Sequence, residues 1–456
     1  MAYKKLRDVD SVSTFDSLLA INESKVVQIT DDDFNEHYGI KDMTGNLYSV
    51  DKQKADGIVQ SAEGEIIAVN DSSDDYIRGL HIYGKSTQDG TPTMTAPVDI
   101  VTIGKYGNVE IIIYGKNLCP SISADLTTLG VKFSKNDNGS VSANGTATDV
   151  AVIDTQLFTL NKGIYALSGS PDGGGNSTYE VRLLKNGSTV PLVTNVGGSS
   201  EVEITEKGSY KIRMVIRKNY TASNIIFYPM LRSILCVDNS YKPHVEAQTL
   251  SISTVNGLPG LPVESDGNYT DKDGQQWVSD EIDLERGVYI QRIATIELNG
   301  TETWLKSTDD DNVYMYHTIL ANAPGNTSSL CDKLVDATGS SPLMVEGQTS
   351  DIVGYFVSKR YSVVYVNLGY YMTVNTPEEV QAVLAANPIT VYYPLATPIE
   401  TPLSDADILN YRALRTNYLG TTITNDIGVH TKLEYNTDTK TYIDNKFEEL
   451  KALITA

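Results

Sequence analysis

Residues Gly257–Ile293 read GLPGLPVESDGNYTDKDGQQWVSDEIDLERGVYIQRI, and the rest of the chain is ordered around them. The run from Gly257 to Pro262 suits neither a helix nor a central strand, because each proline fixes φ and removes a backbone donor. Asp273-Gly274 is a tight-turn dipeptide, and Gln275-Gln276-Trp277-Val278 after it reads as one arm of a hairpin. Asp280–Leu284 and Arg286–Ile293 carry the β pattern onward. Upstream lies a β-rich block ending in a compact module; downstream lie a second β block and a short helical tail.

The chain has 456 residues, enough for several domains that each bury a core. Its 36 basic and 58 acidic residues give a formal net charge of −22, which argues against nucleic acid or an anionic membrane as the main partner. The same charge suits a positively charged patch or a divalent cation. Tyrosine is used 28 times against 7 Phe and 2 Trp. It serves half-exposed β surfaces, subunit interfaces and sugar-stacking sites, although ordinary strand packing accounts for most of the 28. No apolar segment follows Met1–Lys5 as a signal peptide requires, and no apolar run is long enough to span a membrane. Cys119, Cys236 and Cys331 form no CxxC pair, so free thiols in a reducing cytoplasm are expected.

The fold expected is mainly β: antiparallel β-sandwich or jelly-roll modules with short helices and a C-terminal coiled-coil-like helix. Residues 1–60 form an N-terminal attachment region, in which Ser13-Thr14-Phe15-Asp16 ahead of Leu18, Leu19 and Ile21 predicts a short helix and Lys25–Ile29 a strand. Residues 61–116 and 257–400 read as a β-sandwich scaffold, as one discontinuous domain or two. Residues 117–256 read as a separate module, because Asn138-Gly139, Asn144-Gly145, Asp172-Gly173 and Asn186-Gly187 place turns between alternating runs. Strands from the scaffold's two parts are expected to share a sandwich into which the module is inserted.

Thr376, Pro377 and Glu379 predict a capped helix burying Val380, Val383 and Leu384 and stopped by Asn387-Pro388. Ser404 caps a second. Residues 401–456 read as a C-terminal helical oligomerisation segment with a strand-like link at Thr421–Asp426; Ile443, Phe447, Leu450 and Ile454 follow an a/d spacing too short to hold a coiled coil alone, so the terminal helix either packs on its own domain or bundles with symmetry mates.

Motifs for chemistry are sparse. His37, His81, His244, His317 and His430 are scattered, and neither a nucleophile elbow nor a phosphate loop occurs. Gly173-Gly174-Gly175 reads as a flexible turn. The acidic runs Asp31–Asp33, Asp74-Asp75 and Asp309–Asp311 read as solvated loops, since consecutive side chains diverge. Asp271-x-Asp273-Gly274 has part of a calcium loop but lacks its distant Glu, so no metal or cofactor is assigned and Ca2+ stays unsupported. Without a secretion signal, triplets such as Asn144-Gly145-Thr146 are turn chemistry rather than glycan acceptors. Sugar binding asks for exposed aromatic planes beside polar groups, and the candidates by residue type are Tyr165, Tyr179, Tyr210, Trp277 and Trp304, each weighed against an ordinary core role.

Two resemblances add to this reading. The order of strands in the module, with its two Gly-x-Tyr strands and closing Phe227-Tyr228-Pro229-Met230, resembles the jelly-roll carbohydrate-binding modules. The opening stretch, with Arg78–Pro92, Gly115-Lys116-Asn117-Leu118 and Val391–Pro398, resembles tail and baseplate structural proteins of phages and prophages of Gram-positive bacteria. That resemblance covers roughly residues 76–455 and leaves the first 60 without a counterpart. It implies a non-enzymatic virion tail component, oligomeric and tilted toward a homotrimer, bound to other baseplate proteins and facing host cell-wall polysaccharide, while the net charge argues for no nucleic-acid or membrane partner. A free-standing carbohydrate-binding adhesin and a wall-degrading tail enzyme are the alternatives.

Overall fold

The computed structural model describes residues 17–22, 25–30, 58–70, 75–104, 107–254, 257–306, 315–320, 322, 328–336, 354–358, 363–368, 376–417, 420–425, 428–437, 442–443 and 446–447. The chain is mainly β, built from several antiparallel sheets, with helices at Pro377–Ala386 and Asp405–Arg412. It divides into two units. One holds residues 61–71 and 75–435, and the other holds 1–60, 72–74 and 436–456.

Three large apolar cores stand out among the described residues of the larger unit. The first belongs to the module. Strand Gly208–Ile216 pairs with Tyr179–Lys185 on one side and with Ala151–Asp154 and Phe158–Leu160 on the other. Val131–Lys135 and Val141–Thr146 build a second sheet with Thr221–Phe227, and Gly163–Ser168 a third with Ser199–Ile204 and Met230–Ser233. Alternation decides what goes inside: Tyr179, Val181 and Leu183 face the core together with Tyr210, Ile212 and Met214.

The second core is centred on Asn108–Gly115, whose Val109, Ile111 and Ile113 are fully buried. This strand pairs with Gln248–Ser253 and with Thr421–Asn425, and the latter also pairs with Ile66–Val69. Residues 117–247 therefore leave and re-enter the scaffold between two directly neighbouring strands, with Ile113 opposite Gln248. Asn117 seals the junction by donating to the Pro229 and Lys242 carbonyls (3.1 and 2.9 Å) while accepting from Cys119 N–H (2.9 Å).

The third core gathers Leu298, Trp304, Tyr316, Val364 and Val391 under the helix Pro377–Ala386, which buries Val380 and Leu384. Thr376 and Glu379 form the expected capping box. A seven-stranded sheet joins the second and third cores, in the order Leu330–Cys331, Ile389–Pro402, Val288–Leu298, Glu281–Asp283, Leu80–Tyr83, His430–Thr437 and Ile58–Gly64. Within Gly257–Ile293, the Asp273-Gly274 turn joins Tyr269–Thr270 to Gln276–Ser279, as its turn chemistry requires. Gly260–Val263 is more than a connector: it pairs with Gln276–Ser279 at the sheet edge, where Pro262 is tolerated.

Two expectations are corrected. Leu18, Leu19 and Ile21 lie in strand Ser17–Asn22, paired antiparallel with Lys25–Thr30, because an apolar run beside the β-branched Lys25–Thr30 gains a ladder of backbone hydrogen bonds, whereas a lone turn of helix is marginal. Residues 401–456 are not helical beyond the link either: the strand expected from Thr421 is present, and a second strand that was not expected follows it. After the short helix, Thr421–Asn425 and His430–Thr437 are strands, and Tyr411, Leu414, Ile423 and Leu433 help fill the second core. In the smaller unit Tyr442–Ile443 and Lys446–Phe447 are helical, with Ile443 half-buried and Phe447 exposed. Leu450 and Ile454 lie outside the described residues, as do Asp31–Asp33, Asp74 and Asp309–Asp311.

Candidate functional site

The five aromatic side chains selected for sugar stacking all pack inward. Tyr165, Tyr179 and Tyr210 belong to the module core, and their hydroxyls donate to nearby carbonyls of Asn161, Asp172 and Glu206. Trp277 is 6% and Trp304 3% exposed. Each indole N–H is spent on a neighbouring carboxylate, Asp271 at 3.0 Å and Glu302 at 3.3 Å. Buried rings with satisfied polar ends are structural, so none offers the open face that stacking requires. Asp271 is a turn clamp: its Oδ1 accepts from the N–H groups of Asp273 and Gln275, both at 3.0 Å.

The module's polar chemistry lies on the other face of its five-stranded sheet. On strand Tyr179–Lys185 the residues alternating with the core set are Glu180, Arg182 and Leu184. On Gly208–Ile216 they are Lys211, Arg213 and Val215, and Asp154 lies opposite Arg213 from the third strand. Asp154 receives a two-point contact from Arg213 (2.6 and 2.9 Å) and a third from Lys211 (2.7 Å). Burial would lift its carboxyl, but these two cations outweigh that and hold it below the ordinary carboxylate range. Glu180, whose side chain is 1% exposed, sits at ion-pair distance from Arg182 and from Arg217 (2.7 Å). Those approaches miss hydrogen-bond directions, and the Nε atoms of both arginines are buried without an acceptor. Each cation keeps about a fifth of its side chain exposed (20–22%). Arg182 stands directly across the ladder from Arg213, an arrangement of like charges that costs stability by itself.

A second polar cluster lies on the scaffold, on the face of strands Leu80–Tyr83, Glu281–Asp283 and His430–Thr437 opposite Ile82, Ile282 and Leu433. His81 Nδ1 is 2.9 Å from Glu281 Oε1, and Arg292 holds the other Glu281 oxygen at 2.8 Å. The hydrogen bond to Glu281 raises the His81 pKa against the opposing effect of burial. Beside it, Tyr269 stacks on His430 with centroids 4.5 Å apart and on Trp277 at 6.2 Å, and Lys85 lies 4.7 Å over the Trp277 ring. Ligand atoms of His81, Glu281 and Asp283 lie within 4.8 Å of one another, close enough for a metal ion. Several of these acceptor atoms are already engaged: Asp283 Oδ1 accepts from Arg286 N–H at 2.9 Å, and Glu281 serves both His81 and Arg292. A cation there would have to displace Arg292 and compete with the His81 proton, so the chemistry of the donor set favours an ion-pair network.

No family model, no curated protein and no solved structure matches the chain. Among the described residues, the module's charged face carries no aromatic plane of the kind that sugar stacking requires. Its signal was present in Glu180-x-Arg182 and Lys211-x-Arg213, charged residues at alternate positions of otherwise apolar strands. The ladder that brings them together joins strands distant in sequence and has no local signature.

Proposed function

We propose that the chain is a structural, non-enzymatic component of a phage tail tip or baseplate, or of a tail-derived bacteriocin particle, and takes part in recognising glycan on the host cell surface. The observation that supports this best is a β-sandwich with its own core, inserted between two paired strands of a larger β scaffold and carrying a charged sheet face outside that core. An inserted module can hold a recognition surface while the scaffold keeps its own packing. Charged groups replace the aromatic planes as the contact, so recognition rests on charge-assisted hydrogen bonds rather than stacking. In this reading residues 1–60 attach the chain to neighbouring baseplate proteins. The C-terminal segment helps assemble a homotrimer, made in the bacterial cytoplasm and acting outside the target cell.

Two measurements on the purified protein test it. Sedimentation with purified cell wall should carry the chain into the pellet without releasing soluble fragments; steady release would move the wall-degrading enzyme ahead. Light scattering should give a trimer for the full chain and a monomer for one ending at Thr439. A monomer in both cases favours the free-standing adhesin.

A further inference from the structure

The module face described above concentrates positive charge in a chain whose formal net charge is −22. Among the described residues, Asp154 and Glu180 are the carboxylates that pair with Lys211, Arg213, Arg182 and Arg217. Each carboxylate serves two cations, so each group retains one positive charge, and the two groups adjoin where Arg182 faces Arg213. We propose that this face binds an acidic polysaccharide, with the repeating anionic group seated between Arg182 and Arg213. The proposal rests on the glycan-recognition reading above and deepens it by naming the ligand's charge.

Three physical points carry it. An anion between the two guanidinium groups removes the penalty of opposed like charges. Guanidinium forks match phosphate and carboxylate oxygens in a two-point geometry, and Glu180 cannot fill the donors of Arg182 and Arg217 by itself. At physiological salt, charges beyond about 8 Å are largely screened, so the local excess rather than the whole-chain charge sets what this face attracts.

The test uses the full chain in affinity electrophoresis through gels holding poly(glycerol phosphate), polygalacturonate or neutral dextran. Retardation is expected with at least one anionic polymer and not with dextran, and it should weaken as salt is added. Which anionic polymer retards separates phosphate from carboxylate. Lys211→Gln and Arg182→Gln, each of which leaves its carboxylate one cation (Asp154 with Arg213, Glu180 with Arg217), should weaken binding about tenfold or more. Both variants should keep the parent's melting temperature to within a few degrees, which guards against misfolding. Equal retardation by dextran, or unchanged binding by well-folded variants, overturns the proposal. Cell wall stripped of anionic polymer separates it from the broader reading. Undiminished pelleting would sink the acidic-ligand proposal and keep glycan recognition, whereas retardation by anionic polymers without any wall binding would do the reverse. Binding to neither overturns both.

Discussion

At the bulge between Gln291 and Ile293, two consecutive backbone N–H groups turn from the ladder to one side chain. Asp280 Oδ1 accepts from Arg292 N–H at 2.6 Å and Ile293 N–H at 2.8 Å, while the Tyr289 hydroxyl donates to Oδ2. Burial pushes the Asp280 carboxyl up to about 6 despite these three donors. A raised acid binds its proton more tightly when folded, so its contribution to stability is complete below 3.8 and is lost as pH rises through about 6. Asp280→Asn keeps one carbonyl acceptor and should flatten that part of the pH profile. Asp280→Ala leaves both N–H groups unpaired and should cost about 1–3 kcal/mol for each in urea unfolding at neutral pH. Two histidines of the same sheet are expected to diverge. The hydrogen bond to Glu281 raises His81, so its contribution is full below 6.5 and lost as pH rises through its folded value. Burial lowers His430, whose Nε2 has no partner, so its contribution holds above 6.5 and fades as pH falls through its folded value. An NMR titration should resolve His81 above 6.5 and His430 below it; coincident curves would refute both environments.

Among elements, the tetrapeptides Ile82–Lys85 and Ile113–Lys116 are identical in sequence and differ in constraint. A Cβ on Gly84 would lie 2.3 Å from the Leu258 carbonyl oxygen and 2.4 Å from that of Pro259. The strand end must approach the Gly257–Pro262 run closely enough for Lys85 N–H to reach Leu258 O at 3.0 Å. A Cβ on Gly115 meets nothing nearer than 3.6 Å. Gly84→Ala should therefore lower stability by about 1–3 kcal/mol and Gly115→Ala by less than about 0.5, read as shifts in denaturant midpoint. The repeated word cannot tell the two apart, because the contact that separates them comes from another part of the chain. The Thr376 cap was legible for the converse reason: Thr376, Pro377 and Glu379 stabilise the first turn through bonds they make among themselves. Thr376→Ala should cost about 1 kcal/mol.

On the scale of the whole molecule, the insertion point makes a direct claim. Asn108–Gly115 and Gln248–Ser253 are antiparallel neighbours, so replacing residues 118–246 by a short Asn-Gly turn should leave the scaffold able to fold. Circular dichroism should show a cooperative melt of the shortened chain. Its midpoint should fall, because contacts such as Asn70 with Leu235 and Val237 are lost. Loss of any cooperative transition would mean that the module is part of the scaffold's core. No helix among the described residues is long and apolar enough to cross a membrane, which agrees with the hydropathy of the sequence.

The sequence by itself determined a mainly β chain, the Asp273-Gly274 hairpin and both helix caps. These depend on φ preferences, turn chemistry and side chains a few residues apart, all of which are written locally. Only the tertiary structure decided that Ile66–Val69 pairs with Thr421–Thr424, and that Arg182 comes to stand opposite Arg213. It also decided that Tyr165, Tyr179, Tyr210, Trp277 and Trp304 face inward. Period-two alternation shows that a strand has two faces, but which of them is covered depends on partners far along the chain. That dependence is why residue type could nominate these aromatics but not say which face is open, and why the ladder that builds the charged face has no local signature.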